Sequence, residues 1–255
     1  VYDLDQIALD KAKHGIENNL NKGISRGKVT EIQKSECLDN LNFTLNLEDL
    51  IADLIIEAVV ERLDVKQDIF KKLAGFNSIE CILASNTSSI PISQIALGIP
   101  NPERVVGMHF FNPAHIMKLV EVISGAATSP NVAEKIKELA ISLGKNPVMA
   151  KDSPGFIVNR VARHFYLESM KCLEEGIADH ETIDRLIKNA GFRMGPFSLM
   201  DLIGIDTNYS VTTSMYESFY YEPRFRPSRI QKQKVDAGLL GKKSGKGFYD
   251  YSDNK

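Results

Sequence analysis

The 255-residue chain lacks the marks of several protein classes. Its three cysteines, Cys37, Cys81 and Cys172, are odd in number, widely separated and never in CxxC spacing. That argues against a disulfide framework or a zinc ribbon and suits a reducing compartment; no metal site is expected. There is no run of roughly 18 apolar residues, hence no expected membrane span. The formal net charge is only −2 at pH 7, so no bulk basic field is present to hold nucleic acid or an anionic membrane. Internal repeats and low-complexity segments are absent. So are the phosphate-binding glycine signatures: the one glycine-rich stretch, Gly241 to Gly247 (GKKSGKG), has the spacing of neither GxGxxG nor a P-loop, and no helix follows it.

What is present is a composition that folds, with 43% hydrophobic and 25% charged residues. At about 150 residues per domain, two domains are expected. In residues 1–151, short apolar runs alternate with helical patterns. Val1 to Asp3 reads as a strand end, Ile7 to Leu20 as an amphipathic helix, Leu54 to Val60 as a buried strand and Val65 to Leu73 as a helix. Cys81 to Ala84, Val105 to Phe110 and Leu119 to Ile123 follow as strands, then a helix from Pro130 to Leu143 and a last strand from Pro147 to Ala150. Apolar runs without alternation, separated by helices, predict a doubly wound α/β domain with a mainly parallel sheet. Residues 152–255 read as all-helical. Asp152-Ser153-Pro154 has the form of a helix start and Gly176 of its stop, and Asp179 opens a further helix.

Three segments carry chemistry. Asp3, at a strand end, stands where a dinucleotide fold places an acid that accepts hydrogen bonds from the adenosine ribose and so selects NAD over NADP. The glycine fingerprint belongs about 20 residues before such an acid. A doubly wound sheet without its central first strand leaves two strand edges unpaired. The expectation is therefore that the natural polypeptide has roughly 25 further N-terminal residues, the alternative being a cofactor site that has been lost. The second segment runs from Ser85 to Glu121, where hydroxyls, an imidazole and a carboxylate follow successive strands and can converge at one sheet edge. Glu121 is flanked by Leu119, Val120, Val122 and Ile123, and a carboxylate in such a run is costly unless paired. His109 is its natural partner. The third is Asn159, an amide among Phe156, Ile157, Val158 and Val161, which must find partners across a domain contact or in a cleft.

The segments SNTSS, GMHFFNP, KLVEV, KDSPGFIVNR, MGPFSLMDLIGID and GKKSGKGFYDY, in this order, closely resemble those of the L-3-hydroxyacyl-CoA dehydrogenases, most nearly the bacterial 3-hydroxybutyryl-CoA dehydrogenases. The resemblance covers essentially all of residues 1–251. It implies a Rossmann-type NAD-binding domain, here without its first strand, followed by a helical domain for substrate binding and dimerisation. His109 is implied as catalytic base, Glu121 as its partner, and Ser88 and Asn159 as further catalytic-site members. Cofactor contacts are implied at Asp3, Ala58, Glu61, Lys66, Ser88, Asn112 and Lys243, and coenzyme A contacts at Asn19, Arg26 and Ser88. Animal relatives have Ser and Lys where this chain has Asn19 and Arg26.

The implied reaction is the NAD-dependent oxidation of a short (S)-3-hydroxyacyl-CoA and its reversal, in a cytoplasmic homodimer. The alternatives are a gulonate-type hydroxy-acid dehydrogenase, which has no coenzyme A handle, and a non-catalytic relative. Lys22, Arg26 and Lys28 form a basic cluster that serves either as a solvated loop or as a grip on coenzyme A phosphates. His115 stands where relatives have Pro and is expected at the surface, and His14, His164 and His180 are expected as helix-surface or packing residues. Phe165, Tyr166, Met170, Leu199, Met200, Tyr209, Met215, Phe219 and Tyr220 offer more apolar surface than one small domain usually buries, so part of that surface is expected at a homodimer interface.

Overall fold

The computed structural model describes residues 1–252. Helix α1 (Gln6–Ser25) begins where the Asp5 carboxylate accepts the Ile7 N–H, and α2 (Glu31–Asp39) opens on a reciprocal box between Thr30 and Gln33. Then come β1 (Leu54–Glu57), α3 (Leu63–Phe76), β2 (Ile82–Ser85), the short α4 (Ile92–Ile95), β3 (Val105–Phe110), β4 (Leu119–Ser124), α5 (Pro130–Ser142) and β5 (Asn146–Lys151). The five strands form one sheet in the order β1-β2-β3-β4-β5, parallel throughout except between β3 and β4.

Both faces of this sheet are covered, which is why its strands read as unbroken apolar runs. Ile55, Leu83, Val105 and Ile123 pack with Phe70, Leu73, Ile92 and Ile95 on one side. Ile82, Ala84, Val106 and Val122 pack with Ile136 and Ala140 on the other. The Val1 to Asp3 strand end is reduced to one parallel bridge, Tyr2 to Thr44, outside the five-stranded sheet. Among the described residues β1 pairs with β2 alone.

The second half is helical: α6 (Val158–Glu174), α7 (His180–Asn189), α8 (Pro196–Ile203), α9 (Ile205–Ser218) and α10 (Arg229–Asp236). The helix expected from Asp152-Ser153-Pro154 starts four residues after the Pro, at Val158. Gly155 and Phe156 both adopt left-handed backbone, φ +70° and +49°, which no α-helix accommodates. Asp152 caps a different helix, its carboxylate accepting the Ile92 and Ser93 N–H groups of α4 at 2.7 Å each. The Met and aromatic residues expected at an interface mostly go inward. Tyr166, Met170, Met200 and Met215 are buried and Phe165, Leu199, Tyr209 and Phe219 half-buried, leaving Tyr220 alone of the nine fully in solvent. Helical spacing shows that a face is apolar, and here neighbouring helices cover it. No helix among the described residues is long and apolar enough to cross a membrane.

The C-terminal GKKSGKGFYDY segment folds back around one buried side chain. Asp201 accepts the Phe248 and Tyr249 N–H groups at 2.9 Å and the Tyr251 hydroxyl at 3.0 Å. A Cβ at Gly247 would run into the Asp201 carboxylate, so only glycine fits that close approach. In Asp201→Asn, one of these N–H groups must face an amide N–H. The expected cost is about 2–3 kcal/mol, seen by differential scanning calorimetry as a Tm roughly 5–10 °C lower. An unchanged Tm would show that the segment is held by other contacts.

Candidate active site

The centre of the site is set by strand register. In the antiparallel pair of β3 and β4, His109 lies directly opposite Glu121. Directly opposed residues project their side chains from the same face of a sheet. The result is a contact of 2.8 Å between His109 Nδ1 and Glu121 Oε2, with both side chains buried. A carboxylate accepts, so Nδ1 carries a proton, and in the neutral imidazole Nε2 keeps the lone pair. The Phe111 and Phe156 rings stand 4.5 and 5.9 Å from the imidazole, giving it an apolar surround. The second Glu121 oxygen, Oε1, accepts the Ile157 and Val158 N–H groups at 2.9 Å each. These are unpaired donors at the start of α6, where a negative charge is favoured. Burial works to raise the Glu121 pKa, but the His109 ring and these two amides outweigh it and hold the carboxyl below the usual range.

At the carboxyl ends of β1 and β2 a second group forms. Glu61 Oε1 accepts the Thr87 hydroxyl at 2.7 Å, the Ser88 N–H at 2.9 Å and the Ser89 N–H at 3.1 Å, with the Ser88 hydroxyl at 3.3 Å. Burial again works to raise the pKa, and the Thr87 hydroxyl, the Lys66 ammonium and the Ser88 amide bring it below the ordinary value. Lys66 does not reach the surface. It is 1% exposed, with Nζ 2.7 Å from Glu57 Oε1 and 3.2 Å from Glu61 Oε2. Its place is behind Glu61, holding that charge.

The two halves meet across these groups. Asn159 Nδ2 donates to the Ser88 carbonyl at 3.1 Å, and the Ser214 hydroxyl to that of Ser89 at 3.3 Å. His109, Glu121, Ser88, Asn159, Glu61 and Lys66 are therefore linked around one joint. Ala58 is exposed beside it, just past the end of β1, and Asn112 is exposed three residues beyond His109. The donor set suits NAD at this edge: Glu61 and Ser88 are partly open at the carboxyl ends of parallel strands, the crevice where dinucleotides lie in doubly wound sheets. Asp3 is an exposed carboxylate just past the Tyr2 bridge.

Other implied residues lie apart. Lys243 is fastened to Asp206, 2.6 Å away in the helical half, and no hydrogen bond ties it to the His109 group among the described residues. Asn19 is exposed on α1 and Arg26 exposed at its C-terminal end. His115, His14 and His164 are exposed, and His180 is half-buried with its ring 4.9 Å from that of Tyr249. Sequence reasoning missed Glu57 and gave Asp152 to the helix that follows it instead of to α4. Glu57 gave a signal of the same kind as Glu121, a carboxylate inside an apolar strand.

Comparison with known proteins follows the same division. Residues 1–153 match the 3-hydroxyacyl-CoA dehydrogenase NAD binding domain, and residues 155–251 match the 3-hydroxyacyl-CoA dehydrogenase C-terminal domain. The chain is 49% identical over 253 residues to 3-hydroxyadipyl-CoA dehydrogenase of Escherichia coli, with 98% of this chain and 53% of that protein covered. To the probable 3-hydroxybutyryl-CoA dehydrogenase of Deinococcus radiodurans it is 42% identical, covering 98% of this chain and 90% of that one. A crystal structure of 3-hydroxybutyryl-CoA dehydrogenase from Escherichia coli K12 superposes with a TM-score of 0.95 at 49% identity, over 98% of this chain and 54% of the other. The chain thus spans about half the length of the Escherichia coli proteins and nine-tenths of the Deinococcus one. With both domain matches in order and in register with the observed fold, the chain belongs to the 3-hydroxyacyl-CoA dehydrogenase family.

Proposed function

We propose that this chain oxidises short (S)-3-hydroxyacyl-CoA thioesters to 3-ketoacyl-CoA with NAD, and runs the reduction in reverse. The observation that carries the reading is the buried His109–Glu121 pair at 2.8 Å, with Asn159 and the Ser88 loop tied to each other beside it. The names of the relatives, which specify 3-hydroxybutyryl-CoA and 3-hydroxyadipyl-CoA, support a coenzyme A thioester.

Because Glu121 occupies Nδ1, His109 Nε2 is the free base. The substrate hydroxyl gives its proton to Nε2 as hydride leaves the same carbon, and the C–O bond becomes the ketone. NAD, when bound, supplies the hydride acceptor. The imidazolium formed is stabilised by the Glu121 carboxylate, which is already ionised and already oriented, so little reorganisation accompanies the step. The Ser88 hydroxyl and the Asn159 amide hold the substrate oxygens. In reduction His109 returns the proton to the nascent alkoxide.

Residues 1–151 are assigned to the cofactor and 152–255 to substrate and self-association. Ala58, Glu61, Asn112 and Asp3 face the cofactor and Lys66 acts through Glu61, whereas Lys243 stays ion-paired with Asp206 in the helical half. Asn19 and Arg26, exposed on and beside α1, grip coenzyme A. The free cysteines suit the cytoplasm. The helical half also leaves Val161, Leu202, Tyr220 and Tyr221 in solvent. A second copy of the chain covers them in a homodimer.

His109→Ala tests the assignment. With unchanged affinity for acetoacetyl-CoA, kcat is expected to fall by about 10²- to 10⁴-fold. A folded variant that keeps most of its turnover would contradict it. Sedimentation equilibrium at micromolar concentration is expected to give twice the chain mass, and a single monomeric species would remove the homodimer.

A further inference from the structure

Glu57 is a carboxylate at the end of the apolar strand β1, 4% exposed, and the Lys66 ammonium it meets is equally enclosed. An ion pair this deep is a poor source of stability, since apolar side chains of similar volume do as well or better. What it does supply is geometry. Glu57 Oε1 accepts the Val59 N–H as well as Lys66, each at 2.7 Å, and Oε2 accepts the Ser85 hydroxyl at 2.6 Å. The Ser85 oxygen in turn accepts the Thr87 N–H at 3.2 Å, one residue before Ser88. The Glu57 carbonyl accepts the Asn86 N–H at 2.8 Å, and the Asn86 side-chain oxygen accepts the Phe110 N–H, next to His109, also at 2.8 Å. By the second route Lys66 holds Glu61, which gathers Thr87, Ser88 and Ser89.

Glu57 therefore reaches Ser88 along two paths, and its own backbone reaches the residue beside His109. We propose that Glu57 is a positioning residue for the reaction: its carboxylate fixes where the Ser88 loop stands relative to His109. This rests on the reading of His109 and Ser88 as the reacting site. The side chain touches neither, and its effect passes through Ser85 and Lys66.

The test is Glu57→Gln, which keeps the volume and one acceptor oxygen but removes the charge. Three measurements are made on the folded variant: kcat and KM for acetoacetyl-CoA, and amide hydrogen exchange of residues 85–89. The expected result is a kcat lower by on the order of tenfold or more, KM within about twofold, and faster exchange in the loop. A kcat within about twofold of the parent in a folded variant overturns the proposal, whatever the loop does. Should Glu57→Gln not fold, Ser85→Ala removes the hydroxyl that links the Glu57 carboxylate to the Thr87 N–H and leaves the Glu57–Lys66 pair in place. The same pattern, lower kcat at constant KM, is expected, and an unchanged kcat overturns the proposal equally. The exchange measurement separates this inference from the functional reading. If the parent protein shows no turnover of the thioester while Glu57→Gln still loosens residues 85–89, the assigned reaction fails and the role of Glu57 in setting the loop stands.

Discussion

The register of β3 on β4 is the constraint on which the site depends. It places His109 opposite Glu121 and so gives the imidazole a fixed orientation, a fixed tautomer and a buried counter-charge in one step. Because the side-chain period of a strand is two, a slip of one residue would send one of the two groups to the opposite face, among the side chains that pack on α5, and part the pair. The apolar residues around them, Met108, Val120, Val122 and Ile123, are fully buried and oppose such a slip. Core packing and the pairing of His109 with Glu121 are here the same constraint.

Glu121 also does a second job that ties the sheet to the helical half. One of its oxygens holds His109 and the other holds the first amides of α6. That helix carries Asn159, which reaches back to the Ser88 carbonyl. The His109–Glu121 pair and the seam between halves are thus one hydrogen-bonded unit, closed by left-handed backbone at Gly155 and Phe156. Breaking the Glu121 contact leaves a buried donor on each side, a cost of about 1–3 kcal/mol per group before any chemistry is considered.

Much of this was legible in the sequence. A carboxylate inside the run LVEVI needs a partner, and a histidine ending the preceding strand supplies one, so the pair follows from local pattern, whereas the antiparallel pairing of their strands does not. The doubly wound sheet followed from apolar runs alternating with helices. The start of α6 was not legible, because Asp152-Ser153-Pro154 has every local feature of a helix cap and its carboxylate is taken by α4, some 60 residues earlier. Glu57 carried the same signal as Glu121, but its partners Lys66 and Ser85 lie on two other elements and no nearby spacing names them. The fate of the Met and aromatic residues in the helical half was hidden for a related reason. Periodicity marks an apolar face but not whether a neighbouring helix or a second chain covers it.

The central claim is that Glu121 holds the proton on His109 Nδ1 and leaves Nε2 bare to act as base. Nitrogen-15 spectra of the histidine side chains, with the ring labelled and His109 assigned by its loss in His109→Ala, read this directly for the neutral imidazole. The expected spectrum has a protonated Nδ1 with a downfield proton and an unprotonated Nε2, and Glu121→Gln moves both signals. A neutral ring with its proton on Nε2 would contradict the account, because the base would then face the carboxylate instead of the substrate.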